Sequence, residues 1–347
     1  MTATAGYTKK VQISSDNITF YDIPAENSSL NLSDTLQENT DLTNTSGFKS
    51  RIYGLKDFNI SADGNYKPDT TYQFDIKRGG TPTAFTGEAF SNTVGDSFQI
   101  DDTSKQIFDR SASFTFFDNG VEIDSAQILS IDYLTGTVTF SSPIVGPVTG
   151  DGTFIPVSTQ DCITTGSIDM SVELEEDTCI ETNTNGFKTR VGKLKDVSIS
   201  LTQFNDLNKE YFDILNAGEV VLVDIAIGSS DIQTIRGWFL VESSNDSSSV
   251  TDLETQEVSL QLDGDTDSSF TWIYPASGYS DALKTMTDAY FSNPLATVYI
   301  NVIPADITAN GYSGPVLIES FSLSLDINGK VTFTSSFQGN GELISLT

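Results

Sequence analysis

The sequence predicts a mainly β protein: two copies of one β unit, each with a short flanking helix, and a small all-β domain inserted between them. Three observations carry this. First, Gly47-Phe-Lys-Ser-Arg-Ile-Tyr-Gly-Leu-Lys-Asp-Phe-Asn-Ile-Ser61 returns 139 residues later as Gly186-Phe-Lys-Thr-Arg-Val-Gly-Lys-Leu-Lys-Asp-Val-Ser-Ile-Ser200, with nine of fifteen positions identical and no gap. Second, Gly237-x-x-Leu-Val-Glu-Ser243 and Gly314-x-x-Leu-Ile-Glu-Ser320 repeat at an offset of 77. Third, 22 Phe and 12 Tyr stand among many Val, Ile and Thr, a composition suited to strands. Repeats of this kind settle the organisation of a chain before any local reading does.

The chain opens with Val11-Gln-Ile-Ser, Ile18-Thr-Phe-Tyr and Ser29-Leu-Asn-Leu-Ser, short alternating stretches that predict strands. Gln37–Ser46 is a polar run without apolar period. Glu175–Asn185 precedes the second motif copy in the same way, with Cys179 and Ile180 its only apolar residues. Each unit therefore reads strand, long polar loop, strand; the loop is either a flexible hairpin tip or, as long loops in compact domains commonly are, a binding loop. In the motif, Ile52, Phe58 and Ile60 share one period-2 phase, as do Val191, Val197 and Ile199. Leu55 and Leu194 fall out of phase. They either face the other side or mark a bulge near Gly54 and Lys193.

Residues 66–160 have no counterpart in the second half and read as the insert. Ser113-Phe-Thr-Phe-Phe117 leads into Asp118-Asn119-Gly120, a hairpin signal. Ile128–Tyr133 and Thr137–Phe140 make a second hairpin around Gly136, and Gly150–Pro156 reads as the exit. After the second motif, Asn205 or Asp206 can cap a helix bearing Leu207, Tyr211 and Leu215, which Gly218 can end. Strands follow at Val221–Ala226, Gly237–Ser243 and Val258–Leu262. The C-terminal segment repeats that order: Ser280 caps a helix with Leu283, Met286 and Tyr290 on one face, Asn293-Pro294 stops it, and strands follow at Val298–Val302 and Gly314–Ser320. The last hairpin turns at Asn328-Gly329.

The two offsets differ, and this orders the parts. Residues 161–268 hold a motif and its helix-plus-strand half side by side, so they are expected to form one complete unit. The first motif, in 1–65, lacks that half, and 269–347 lacks a motif. We expect 1–65 and 269–347 to form the other unit, split by everything between them; the simpler alternative is a string of three independent β modules.

The formal charge is −30, from 18 Lys and Arg against 48 Asp and Glu, and there is no histidine. Gripping nucleic acid through its phosphates needs Lys and Arg that this chain lacks, although it can surround nucleic acid without holding it. Missing histidine removes Ser-His-Asp and Cys-His mechanisms and His-ligated zinc. No run is long enough for a membrane helix, and the first ten residues do not read as a signal peptide. Cys162 and Cys179 read as free thiols of a reducing cytoplasm. Asp263-Gly-Asp-Thr-Asp267 begins like a calcium loop, but Ser268 and Tyr274 stand where Gly and Glu are needed. No catalytic, cofactor-binding or metal-binding residues are expected, and no enzyme.

The basic residues of the motif recur in both copies: Lys49, Arg51 and Lys56 beside Asp57, and Lys188, Arg190 and Lys195 beside Asp196. One reading is a solvated strand face, each aspartate neutralising its neighbours. The other is a set of charges aimed at another subunit, which makes these eight residues the candidate subunit interface.

The Gly-Phe-Lys-[Ser/Thr]-Arg-x-x-x-Leu-Lys-Asp strand after a polar loop, the helix that follows, and the strands ending near Gly339-Asn-Gly-Glu together resemble the major tail tube proteins of long-tailed, siphovirus-type bacteriophages. The resemblance covers 1–65 and 161–347; the insert lies outside it. It implies two β-sandwich or small-barrel domains, each with one helix, and rings of six domains whose inner strands join into a β lining. It further implies that the long loops contact the adjacent ring and that stacked rings conduct DNA during ejection without binding it specifically. Its partners would be other copies of itself and other tail proteins: tape measure, terminator and baseplate. Its place would be the virion tail, after synthesis in the host cytoplasm. Most members carry one tube domain per chain, so two per chain imply a trimeric ring with pseudo-sixfold symmetry. An acidic lining would repel DNA and ease its passage. The competing reading is a β-rich phage fibre, receptor-binding or adhesin protein.

Overall fold

A computed structural model describes residues 9–38, 51–66, 74–159, 163–177, 187–204, 210–228, 233–247, 254–264, 269–275, 280–304, 311–326 and 331–346. The first strands are β1 (Lys9–Ser14), β2 (Tyr21–Asp22), β3 (Ala25–Glu38) and β4 (Arg51–Asn65). The middle of the chain gives β5 (Phe74–Gly79), β6 (Thr83–Val94), β7 (Ser97–Ile100), β8 (Thr115–Asp118), β9 (Val121–Glu122), β10 (Ile128–Asp132), β11 (Thr137–Phe140), β12 (Val148–Phe154) and β13 (Val157–Thr159). Next come β14 (Ile163–Glu176), β15 (Arg190–Phe204), helix α1 (Glu210–Ala217), β16 (Val220–Ile227), β17 (Gln233–Ser247), β18 (Thr255–Leu262) and β19 (Phe270–Ile273). The chain closes with α2 (Asp281–Phe291), β20 (Val298–Pro304), β21 (Tyr312–Asp326), β22 (Thr332–Gly339) and β23 (Ile344–Ser345). The fold is mainly β, with two helices among the described residues. The chain divides into two compact units: Met1–Tyr72 with Thr164–Leu201 and Tyr274–Thr347, and Gln73–Ile163 with Thr202–Ile273.

In the first unit β1 pairs with β2 and β20, β20 with β21, β21 with β22, β22 with β4, and β4 with β3, all antiparallel. Strands from 1–65 and from the C-terminal segment thus share one sheet. β21 also receives β14 along Ser320–Asp326. Alternation places Phe58, Ile60, Ala62, Ile168, Met170, Val172, Phe321, Leu323, Leu325, Phe333 and Phe337 in the core. The register of β3 on β4 shifts between Asp34 and Leu36, which face Lys56 and Tyr53, so β4 holds the extra residue at Gly54-Leu55. The out-of-phase Leu55 marks that bulge, and its counterpart Leu194 is exposed. Ser280 caps α2, its Oγ accepting from the Leu283 N–H, and Leu283, Met286 and Tyr290 are buried. The helix stops at Phe291, before Asn293-Pro294.

In the second unit a seven-stranded sheet runs β10-β11-β7-β6-β12-β8-β9. Its core is phenylalanine-rich: Phe85, Phe90, Phe98, Phe108, Phe116 and Phe140. The β8–β9 hairpin turns at Asn119 and Gly120, with φ of 51° and 78°, the pair of left-handed residues a two-residue turn requires. Of Gly150–Pro156, read as the exit of the insert, Gly150–Phe154 belong to β12, the strand between β6 and β8. A Cβ at Gly152 would lie 2.3 Å from the Phe114 ring, so this glycine makes room for the aromatic core.

A second layer of this unit runs β13-β5-β16-β17, and β17 also pairs with β18 and β19. β16 is buried almost throughout, on both faces. One reason is the seven-strand layer, whose Ile107, Leu134 and Ile155 pack on Leu222 and Trp238. Asp224 pairs there with Arg236, which donates to the Leu134 carbonyl at 3.0 Å. α1 buries Tyr211 and ends at Gly218, φ +67°, as a helix C-terminus favours. The predicted caps Asn205 and Asp206, the turn at Asn328-Gly329, both cysteines and most of the two polar loops lie outside the described residues.

The repeats hold in three dimensions. β4 and β15 are both 15 residues long and begin at the paired arginines Arg51 and Arg190. β17 and β21 are also 15 residues long, and each bulges at its motif glutamate, between Val241 and Ser243 and between Ile318 and Ser320. β5 adds an element that carries no motif. Ile76 faces Ile225 as Val11 faces Val302, so β5 lines β16 in the register by which β1 lines β20.

Candidate assembly surface

β15 begins beside β4, and the two motif copies meet there. The Lys188 N–H donates to the Lys56 carbonyl at 3.0 Å, and Phe187 forms a parallel bridge to Lys56. The Phe187 and Phe58 rings meet edge to face at 6.4 Å, and Lys56 Nζ lies 5.3 Å from the Phe187 centroid, a cation–π distance.

Arg190 is bound at three points. Its backbone N–H donates to Asn340 Oδ1 and its Nη1 to the Gly339 carbonyl, both at 2.6 Å, while Nη2 pairs with Asp57. Asp57 also accepts from Gln338 Nε2 at 3.0 Å. The Arg190 side chain is 10% exposed and that of Asp57 21%, so water screens this pair less than a surface pair. Arg190 is therefore bound inside its own chain, and its carboxylate comes from the other motif copy.

Lys195 donates to the Ser292 carbonyl at the end of α2 and lies 5.9 Å from the Tyr290 centroid. A cation at a helix C-terminus meets favourable partial charge, while burial lowers the pKa of this ammonium. The Tyr290 hydroxyl donates to the carbonyls of Ser171 at 2.6 Å and Asp196 at 3.0 Å, and burial raises its pKa. The backbones of β14 and β15 are thus fastened under α2. Lys188 Nζ pairs with Glu176 at 2.7 Å, toward the solvent. Arg51 begins β4, its side chain outside the described residues, as is all of Lys49.

The structure therefore brings Asp57, Lys56, Lys188 and Arg190 together, and holds Lys195 and Asp196 around Tyr290. Sequence reasoning missed Gln338, Asn340, Ser292 and Tyr290 as partners. Asn340 had a signal, since it stands in the Gly339-Asn-Gly-Glu stretch that carries the family resemblance.

Among the described residues, no group of three His, Cys, Asp or Glu could hold a metal ion, and no helix is long and apolar enough to cross a membrane. The second unit has an open groove of about 800 Å3 whose lining includes Arg78, Asp109, Arg110, Asp213, Glu219 and Trp238. Arg110 there pairs with Asp263 and lies 5.2 Å from the Trp238 ring, so the groove wall is a structural ion pair of mixed surroundings.

No protein-family description and no curated protein matches the chain. Among the solved structures that share similarity with it are two gene transfer agent particles. One is the tail of an empty gene transfer agent particle with C6 symmetry: TM-score 0.29, 18% identity, covering 35% of this chain and 87% of that one. The other is the virion of a native gene transfer agent particle: TM-score 0.29, 18% identity, covering 34% of this chain and 88% of that one.

Proposed function

We propose that this chain is a structural virion protein that polymerises into stacked rings and forms the tail tube of a long-tailed bacteriophage. It is not an enzyme and uses no cofactor. The observation that carries the reading is the duplication: repeated strands of matching length and bulge in one chain, with the two motif copies meeting through Arg190 and Asp57 inside the first unit. A chain that pairs its own repeats in this way has the surfaces to pair them with further copies. Two units per chain give trimeric rings with pseudo-sixfold symmetry. The tail's other proteins meet the ends of the tube, and DNA passes along an acidic lining that repels its phosphates.

The division into 1–65 with 269–347, 66–160 as the insert, and 161–268 is part of this proposal. It is supported by the pairing of β4 with β22 and of β1 with β20. The eight motif residues are proposed as interface residues: Lys188 at the solvent side for contacts between copies, Arg190 and Asp57 for the joint inside the chain. The test is electron cryomicroscopy of the concentrated protein, with ring symmetry determined rather than assumed. Threefold rings with six similar domains around a lumen are expected. Sixfold rings would remove the trimer. A stable small oligomer that never forms filaments would favour the fibre or adhesin reading.

A further inference from the structure

The two hairpins of the repeat have different neighbours. Ser29-Leu-Asn-Leu-Ser33 in β3 matches Ser167-Ile-Asp-Met-Ser171 in β14 position for position. In β14 this stretch lies on β21, with Ser167 facing Ser324, Asp169 facing Ser322 and Ser171 facing Ser320. Met170 is 1% exposed there. β3 pairs with β4 along one edge, and among the described residues no strand lies on the other. Leu32, the counterpart of Met170, is 60% exposed, and Leu36 is exposed beyond it. β3 is 14 residues long and has neither Lys nor Pro, the residues that commonly keep an edge from pairing.

The matching acceptor is also present. β17 is the counterpart of β21. Phe239 and Leu240 pair with both β16 and β18, which puts those two strands on opposite edges of β17. β16 ends its pairing at Leu240, while β18 continues to Ser247. Along Ser243–Ser247, the edge that β21 fills with β14 therefore carries no strand among the described residues. One chain thus holds one unfilled donor strand and one unfilled acceptor edge, and the filled pair it also contains fixes how they fit.

We propose that β3 of one copy adds to β17 of a second copy as an antiparallel strand, with Ser29 opposite Ser247, Asn31 opposite Asn245 and Ser33 opposite Ser243. Backbone hydrogen bonds supply the affinity. Donor and acceptor differ, so the contact is head to tail and propagates around a ring or along a filament. Across the joint, Leu30 and Leu32 meet Asp246 and Ser244, where the internal joint sets Ile168 and Met170 against Leu323 and Phe321. The joint between copies is the weaker of the two. Its purpose rests on the tail-tube reading; its geometry does not.

The test mixes two variants in which Cys162 and Cys179 are replaced by Ser, one carrying Asn31→Cys and the other Asn245→Cys. Facing strand positions bring Cα atoms within disulfide range, whereas a shift of four residues adds about 13 Å. Mild oxidation of the assembled mixture is expected to give the 31–245 crosslink about tenfold more readily than an Asn27→Cys control paired with Asn245→Cys. Leu32→Lys should lower that crosslink without changing the circular dichroism of the monomer. In-register crosslinks in closed small oligomers would uphold the pairing and remove the tube. Tubes without the 31–245 crosslink would uphold the tube and overturn the pairing. An equal yield from the control, or no crosslink at the highest soluble concentration, overturns it as well.

Discussion

At matching places in the two units, Phe333 lies beside Phe321 in the first and Gln256 lies beside Ser244 in the second. The phenylalanine rings stack at 6.3 Å and 21°. Gln256 instead donates to Ser244 Oγ at 3.1 Å and accepts from Gln203 Nε2 at 2.6 Å. Phe333 and Gln256 are each 1% exposed, so the backbone provides two equally dry sites and the sequence fills them by different chemistry. The aromatic pair draws its stability from area and contact. The amide ladder adds little net stability while complete, but costs much when one member is missing. It marks the end of β17 whose outer edge is unfilled, while the aromatic pair lies where β14 covers β21.

This contrast can be broken or sharpened, starting with the largest effect. Phe333→Ala is expected to destabilise the first unit by about 3–5 kcal/mol in urea unfolding. A loss below about 1 kcal/mol would mean the stack is not what holds β21 to β22. Arg190→Ala should follow at about 2–3 kcal/mol, because Asp57 and the Gly339 carbonyl lose a charged donor. If Asp57→Asn costs nothing while Arg190→Ala costs the full amount, the backbone contacts matter and the ion pair does not. Gln256→Ala should cost about 1–3 kcal/mol by stranding Gln203, and an effect as large as that of Phe333→Ala would erase the difference between the units.

The smallest effect is nil at neutral pH and appears in alkali. Burial pushes the Tyr211 hydroxyl up to about 12 from its ordinary 10.0. Between those values the unfolded chain loses this proton and the folded chain keeps it, so stability is complete below pH 10 and falls toward pH 12. Unfolding midpoints at pH 8 and 11 should differ less in Tyr211→Phe than in the parent protein. An unchanged difference would take Tyr211 out of the account.

The sequence made the repeated elements readable because their signals are local. Turn and capping residues located the Asn119-Gly120 hairpin and the Ser280 cap, and alternation offered a bulge at Leu55 as one of two readings, between which the register of β3 on β4 decides. β5 was not readable as a partner for β16. Its Phe74-Asp-Ile-Lys-Arg-Gly shares no motif with Lys9-Lys-Val-Gln-Ile-Ser, and only the facing strand shows that the two are equivalent. Arg190 was readable as a candidate, but its partner was not. Each motif offers its arginine an aspartate six positions along, yet Arg190 takes Asp57, 133 residues away. The same arginine-to-aspartate spacing in both motifs cannot specify which copy supplies the carboxylate; Asp57 is the one that the contacts of Phe187 with Phe58 and of Arg190 with Gly339 bring close.

The place of β22 between β4 and β21 also has a consequence for the time course of synthesis. β4 leaves the ribosome roughly 270 residues before the strand that completes it, which at ~5–20 residues per second is a wait of ~13–54 s. During that interval the first hairpin is a two-stranded ribbon with no sheet behind it, and such ribbons are marginal in water. The edge of β3 that we assign to a second copy therefore becomes a fixed template only once translation is nearly finished, so neighbouring nascent chains on one message have little opportunity to zip together early.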